Sequence, residues 1–187
     1  MRVFLAIDLP DAIRGELERL QEYLPVGRMV PWDNLHLTLS FLGKQSEDAC
    51  EDAHEALTDV HAQPFDLRLA GLGTFGKTSP QVIYADVERC QELIELERTI
   101  TRKLRSAGVP FQKRRFRPHV TIARLSKTLS MNGLAQAQRF IAGHSSFQGS
   151  PFQVREFHFY CSTLTPEQAR HEVLATYDLS NPEIDVL

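Results

Sequence analysis

His36-Leu37-Thr38-Leu39 and, later in the chain, His119-Val120-Thr121-Ile122 are one four-residue phrase written twice. Each copy reads as a short strand. Successive side chains of a strand point to opposite faces, so His and Thr share one face and the two apolar residues share the other. Each copy therefore buries one side and presents an imidazole beside a hydroxyl on the other. With 7 His in 187 residues, composition alone gives about 0.4 His-x-Thr triplets, before any apolar partner is required. Two copies with four apolar partners point to a designed repeat.

Outward from the first copy, Arg2 to Leu9 reads as a strand. A helix opens at Pro10 and Asp11, with Ile13, Leu17, Leu20 and Leu24 on one stripe. Val30 to Trp32 reads as a short edge strand, and the motif strand runs from Leu35 to Leu42, stopped by Gly43. Ser46 followed by Glu47 and Asp48 marks a helix start, with a capping hydroxyl and acids at the positive end of the dipole. Phe65 to Leu72 reads as one strand, and Gln81 to Val87 as its hairpin partner beyond a glycine-rich turn.

Around the second copy, Cys90 to Ala107 gives the clearest helix. Its stripe is Leu93, Leu96, Ile100 and Leu104, its acids come early and its bases late, and Gly108 closes it. The second motif strand runs from His119 to about Leu125, and a short helix covers Met131 to Ala142. Phe152 to Cys161 and Glu172 to Leu179 read as closing strands.

The halves match. Each runs strand, helix, motif strand, helix, then a strand opening on Phe. The expectation is an internal duplication of about 1–76 and 77–187 within one domain, 1–187. The fold class is α+β and bilobal: two pseudo-symmetric lobes of antiparallel sheet, helices on the outer face, and an active-site cleft between the motif strands.

Two imidazoles on opposite walls of a cleft suit acid-base work on one small substrate, with one ring neutral and the other charged near neutral pH. In-line displacement at phosphorus needs a base on the attacking side and an acid on the leaving side. Thr38 and Thr121 supply hydroxyls for non-bridging phosphate oxygens, and Arg124 supplies a cation where the transition state is negative. Strand alternation places Arg124 on the face opposite His119 and Thr121 unless a bulge turns it inward. A zinc site is the rival reading, but zinc takes three or four ligands with a local pair, and no such spacing is present. Of the remaining histidines, His54 and His61 are expected on one helix facing solvent. His144 and His171 carry no signal, and His158 reads as a surface residue near the cleft edge.

Phe4-Leu5-Ala6-Ile7-Asp8-Leu9-Pro10, Asn34-Leu35-His36-Leu37-Thr38-Leu39 and Pro118-His119-Val120-Thr121-Ile122-Ala123-Arg124 resemble the 2H phosphoesterase superfamily. Within it they resemble the RNA 2',3'-cyclic phosphodiesterases, also called 2'-5' RNA ligase-like proteins. The resemblance covers nearly the whole chain. It implies metal-independent hydrolysis of a terminal 2',3'-cyclic phosphate to a 2'-phosphomonoester, with 2'-5' RNA ligation as a companion activity. By the family pattern His36 is the proton donor and His119 the proton acceptor, although the residues alone leave the two assignments interchangeable. The alternatives are a related 2H enzyme acting on ADP-ribose cyclic phosphate or 2'-5' linkages, and a non-catalytic module that binds RNA ends. After Ser162-Thr163-Leu164 the chain departs from the family's usual Gly and Tyr, continuing through Pro166 to His171.

Gly71-Leu72-Gly73-Thr74-Phe75-Gly76-Lys77-Thr78 fits two phosphate-loop patterns. Such loops place phosphate at the N-terminus of a following helix. Here a strand follows, so the stretch reads as a hairpin turn. The basic loop Lys113-Arg114-Arg115-Phe116-Arg117 reads either as a solvated loop or as a holder of the RNA backbone, with Phe116 as a stacking surface. Phe41 reads either as core or as a stacking surface for a terminal base.

The formal charge of -3 gives no global attraction to nucleic acid, so RNA must be met by a local patch. Three scattered cysteines argue against a disulfide framework and fit a reducing cytoplasm. No apolar run is long enough to span a membrane. The expected partner is RNA or a nucleotide with a 2',3'-cyclic phosphate end, the expected state a monomer, and no cofactor is implied.

Overall fold

The structure is a computed structural model that describes residues 1–76, 80–112, 115–165 and 169–179. The first half builds β1 (Arg2–Asp8), α1 (Asp11–Glu22), β2 (Arg28–Met29), β3 (His36–Lys44), α2 (Glu47–Thr58), β4 (Phe65–Leu67) and β5 (Leu69–Phe75). The second builds β6 (Val82–Val87), α3 (Gln91–Ser106), β7 (His119–Arg124), α4 (Met131–Gly143), β8 (Phe152–Val154), β9 (Glu156–Leu164) and β10 (Ala169–Asp178). The amphipathic stripes read from sequence are the buried ones: Ile13, Leu17 and Leu20 on α1, and Leu93, Leu96, Ile100 and Leu104 on α3. Ser46 caps α2 and Ser130 caps α4, each hydroxyl accepting the backbone N–H three residues on.

One antiparallel sheet runs β10-β9-β1-β3-β7-β6-β5, with β2 added beside β7. Its middle is thin. The register between β3 and β7 is the single pair Leu37–Val120, so the sheet opens there into two wings. The six strands β9-β1-β3-β7-β6-β5 are palindromic: exchanging β1 with β6, β3 with β7 and β9 with β5 gives the same order read from the other end, and β10 extends one side only. β4 and β8 pair with each other in a separate two-stranded sheet, Asp66 opposite Gln153 at its centre. The wings are not the sequence halves. β9 from the second half completes the first wing beside β1, and β5 from the first half completes the second beside β6.

The helices and the inward faces of the strands share one continuous core. Leu37, Leu39, Val120 and Ile122 all point into it and are essentially buried. Removing a side chain of this size from water is worth roughly 1.5–3 kcal/mol. That burial fixes which way each motif strand faces, and so forces His36, Thr38, His119 and Thr121 to the opposite side.

Several boundaries differ from the expected ones. The edge strand is Arg28–Met29 rather than Val30 to Trp32, because Pro31 has no N–H for a ladder and instead opens a 3-10 turn at Trp32–Asn34. β3 passes through Gly43, which takes φ 78°, to Lys44. The segment from Phe65 to Leu72 divides, one part pairing with β8 and the other with β6. Gly71 and Gly73 lie within β5, not in the turn; Lys77 and Thr78 lie outside the described residues.

Candidate active site

The two motif strands line one cleft of about 760 Å³, and His36, Thr38, His119 and Thr121 all open onto it. The same local device orients both rings. His119 donates its Nδ1–H to the Arg117 carbonyl at 2.7 Å, and His36 is hydrogen-bonded to the Asn34 backbone. In each case the partner lies two residues before the histidine. For His119 this fixes the tautomer and leaves the Nε2 lone pair free to take a proton.

Each histidine also faces an aspartate across the ladder: Asp8 is the register partner of His36, and Asp86 of His119. Both carboxylates favour the charged ring but do not win. Burial is the largest effect on each, and it favours the neutral form. Burial, with nearby His171 next in weight, pushes His36 down to about 4. His119 is lowered too, chiefly by burial, with Arg117 and Arg124 adding repulsion. Asp8 is itself engaged, accepting the Tyr160 hydroxyl and lying 3.5 Å from Arg14.

Aromatic rings wall in both histidines. Phe75 and Tyr84 meet His119 edge-on at 4.8 and 5.2 Å between centroids. Phe4 lies 5.0 Å from His36. Gly73 makes room for Tyr84: a Cβ there would stand 2.4 Å from its ring.

Arg124 reaches the cleft because β7 bulges. Ile83 pairs with Ala123 and Tyr84 with Thr121, so Ile122 is an extra residue and both Ile122 and Ala123 face the core. Alternation then resumes with Arg124 on the same side as Thr121, and it lines the cleft. β3 carries the same bulge at Leu39, between the pairs Leu5–Ser40 and Ala6–Thr38. Phe41 holds the place there that Arg124 holds on β7. It lines the cleft at 55% exposure and is not core.

The basic loop divides. Arg115 lines the cleft and is exposed, and Phe116 lines it half-buried against the core. Arg117 lines it too, but its guanidinium sits 5.1 Å over Phe75 and donates to the Tyr84 hydroxyl at 3.4 Å. Arg114 lies outside the described residues. Among the described residues no group of three or more His, Cys, Asp or Glu is placed to hold a metal ion. No described helix is long and apolar enough to cross a membrane.

Two features of the site are not apparent from the motif phrase. His171, which carries no signal in the sequence, lies on β10 and faces His36 from 5.2 Å between ring centroids. Asp8 and Asp86 did leave a trace, since each ends the apolar run that pairs with a motif strand. His158, read as a surface residue, is 6% exposed and bonded to the Thr176 hydroxyl at 3.0 Å. His61 lies beyond the end of α2, while His54 on α2 bonds the Tyr177 hydroxyl at 2.8 Å.

A two-winged antiparallel sheet with a His-x-Thr strand on each side of its central cleft is the architecture of a 2H phosphoesterase. The chain belongs to the 2'-5' RNA ligase superfamily, whose model matches residues 9–163. It is similar to the RNA 2',3'-cyclic phosphodiesterase of Archaeoglobus fulgidus, with 30% identity over 95% of this chain and 100% of the relative. The Thermotoga maritima enzyme of the same name is 30% identical over 93% of both chains. The apo crystal structure of Escherichia coli LigT superposes with a TM-score of 0.77 at 26% identity, covering 96% of this chain and 98% of that one.

Proposed function

We propose that this hydrolase opens the terminal 2',3'-cyclic phosphate of RNA to a 2'-phosphomonoester, by metal-independent catalysis between His36 and His119. The observation that carries the reading is the matched pair of walls, each a histidine with a ring held by the backbone two residues earlier and a threonine beside it on the same cleft. His119, with Nδ1 engaged, takes the proton of the attacking water at Nε2. The water oxygen bonds to phosphorus as the P–O3' bond breaks, and His36 gives a proton to O3'. Thr38, Thr121 and Arg124 hold the non-bridging oxygens, whose charge grows in the transition state.

The depressed basicity of His36 bears on the acid role. In the free protein both rings are neutral at pH 7, so the donor's proton must be stabilised on binding. A seated phosphodiester brings the negative charge that does this. When an RNA 5'-hydroxyl takes the place of water, the same two proton transfers form a 2'-5' linkage.

Arg115 and Phe116, with Phe41 opposite, supply a cation and two aromatic surfaces for the terminal nucleotide and its backbone. We also read the chain as one bilobal domain, 1–187, arising by duplication of about 1–76 and 77–187. The palindromic order of the six central strands supports this, although residues 180–187 lie outside the described part.

The deciding experiment is product analysis on an oligonucleotide with a 2',3'-cyclic end, before and after treatment with a chelator. The expected product carries phosphate on O2' and forms at the same rate in both. Binding without turnover would mean a recognition module, and phosphate left on O3' would reverse the direction of opening.

A further inference from the structure

We propose that His171 is a positioning residue for this reaction, acting through His36: its ring packs edge-on against the His36 ring, and the two imidazoles together hold at most one proton. The inference rests on the functional reading above for the role of His36.

Three contacts join the two histidines. Their centroids are 5.2 Å apart with planes at 68°. Phe4 packs on both, 5.0 Å from His36 and 4.9 Å from His171. The Asn34 side chain donates to the Ala169 carbonyl of β10 at 2.8 Å, while the backbone of Asn34 holds the His36 ring. The residue that orients His36 is therefore fastened to the strand that carries His171, two residues before it. Both rings line the same cleft.

Among the described residues, the charges around the pair leave room for at most one proton. From β1, Asp8 faces His36 and favours its charged form. From α1, Arg14 lies 3.5 Å from that carboxylate and takes up part of its charge. From β9, Tyr160 donates its hydroxyl to Asp8. From β7, His119 and Arg124 share the cleft. Asp33 and Arg170 border His171 on the side of a smaller adjoining cavity. Among the described residues Asp8 is thus the carboxylate that acts on His36, and it is already shared. Asp8 draws a proton toward His36, whereas a protonated His171 expels it, and at His36 the second effect outweighs the first. Burial lowers His171 as it lowers His36, so neither ring of the pair is charged near neutral pH and each resists the other's protonation as pH falls.

The test is the NMR titration of the His36 ring in the free protein, as wild type, H171Q and H171F. Gln keeps a planar polar group without a titrating proton, and Phe keeps the ring that packs on Phe4. In both variants the His36 midpoint is expected at higher pH. The high-pH limb of turnover on a 2',3'-cyclic nucleotide should move the same way, with KM changed less. A midpoint unchanged or lowered in either variant overturns the proposal. In the wild type, the two rings are expected to titrate as a coupled pair with broadened curves, and two independent one-step curves also overturn it without any variant having to fold. These titrations need no substrate. A protein that titrates as expected yet opens no cyclic phosphate refutes the functional reading and leaves the coupling standing.

Discussion

The Gln21 side chain, buried under the sheet, donates to the Ile122 carbonyl at 2.8 Å and to the Val30 carbonyl at 2.9 Å. Ile122 is the bulge residue of β7, so a glutamine on α1 braces the irregularity that turns Arg124 into the cleft. Sequence position gives no hint of this link, which spans 101 residues. Replacing Gln21 by Leu keeps the volume and removes both bonds. The expected cost is about 1–3 kcal/mol in urea unfolding, because buried carbonyls lose partners. Turnover should fall further than the loss of folded protein explains, through a displaced Arg124. Normal turnover per folded molecule would show that the bulge does not depend on this brace.

Arg124 itself should matter to the transition state more than to binding. Arg124→Ala is expected to lower kcat by about 10²–10³-fold, the usual scale for one lost charge-stabilising donor. Arg124→Lys should recover part of that, since a point charge replaces a fork of donors. Steady-state kinetics on a 2',3'-cyclic nucleotide decides. A rise in KM with kcat intact would make Arg124 a binding residue.

On the proposed mechanism, replacing either His36 or His119 by Ala removes a proton-transfer group, and each change should lower turnover by about 10²–10⁴-fold. In the proposed mechanism the two act in one concerted displacement, so the double variant should lose much less than the product of the two single losses. Circular dichroism and the urea midpoint should stay near wild type, as neither ring is part of the shared core. A single variant that kept most of its activity would contradict the two-wall mechanism.

The pH dependence follows from burial. An ordinary pair of histidines would give limbs near neutrality, but both rings are shifted down, His36 to about 4. The low-pH limb of kcat/KM, where His119 becomes protonated, should therefore lie below the usual histidine range. The high-pH limb of kcat should stand above that of kcat/KM if, as proposed, the bound phosphate holds the proton on His36. For stability the sign is also fixed. A histidine with a lowered folded value is bound by protons more readily when unfolded, so stability is retained above about 6.5 and lost as pH falls toward about 4. The loss from His36 is on the order of 3 kcal/mol, and His36→Gln should flatten it in urea titrations at several pH values.

The repeated phrase made the motif strands, their facing and the cleft legible, because a period of two with one apolar face leaves a strand few options. Arg124 was readable only as a conditional, since a bulge is one extra residue whose register becomes visible in the partner strand. His171 was beyond reach for a different reason. It sits on the edge strand of the wing, brought to His36 by the pairing of β10 with β9 and of β9 with β1, and no local pattern encodes that route. The exchange of β5 and β9 between wings was hidden in the same way. Matching halves predict symmetry, but not which wing each strand joins.

Gly73 tests how tightly the His119 wall is built. A Cβ at this position would lie 2.4 Å from both Cζ and the hydroxyl oxygen of Tyr84. Tyr84 is held from the other side, stacked on Phe75 at 4.3 Å and bonded by Arg117. With no free direction, the ring must push toward His119, 5.2 Å away. Gly73→Ala is expected to cost about 1–3 kcal/mol in urea unfolding by overpacking, and to lower kcat through a displaced His119. Adding Tyr84→Leu should return the stability by removing the clash but leave kcat low, because the ring that frames His119 is then absent. Two effects that simply add, measured as a double-mutant cycle, would show that Gly73 and Tyr84 do not act on the site together.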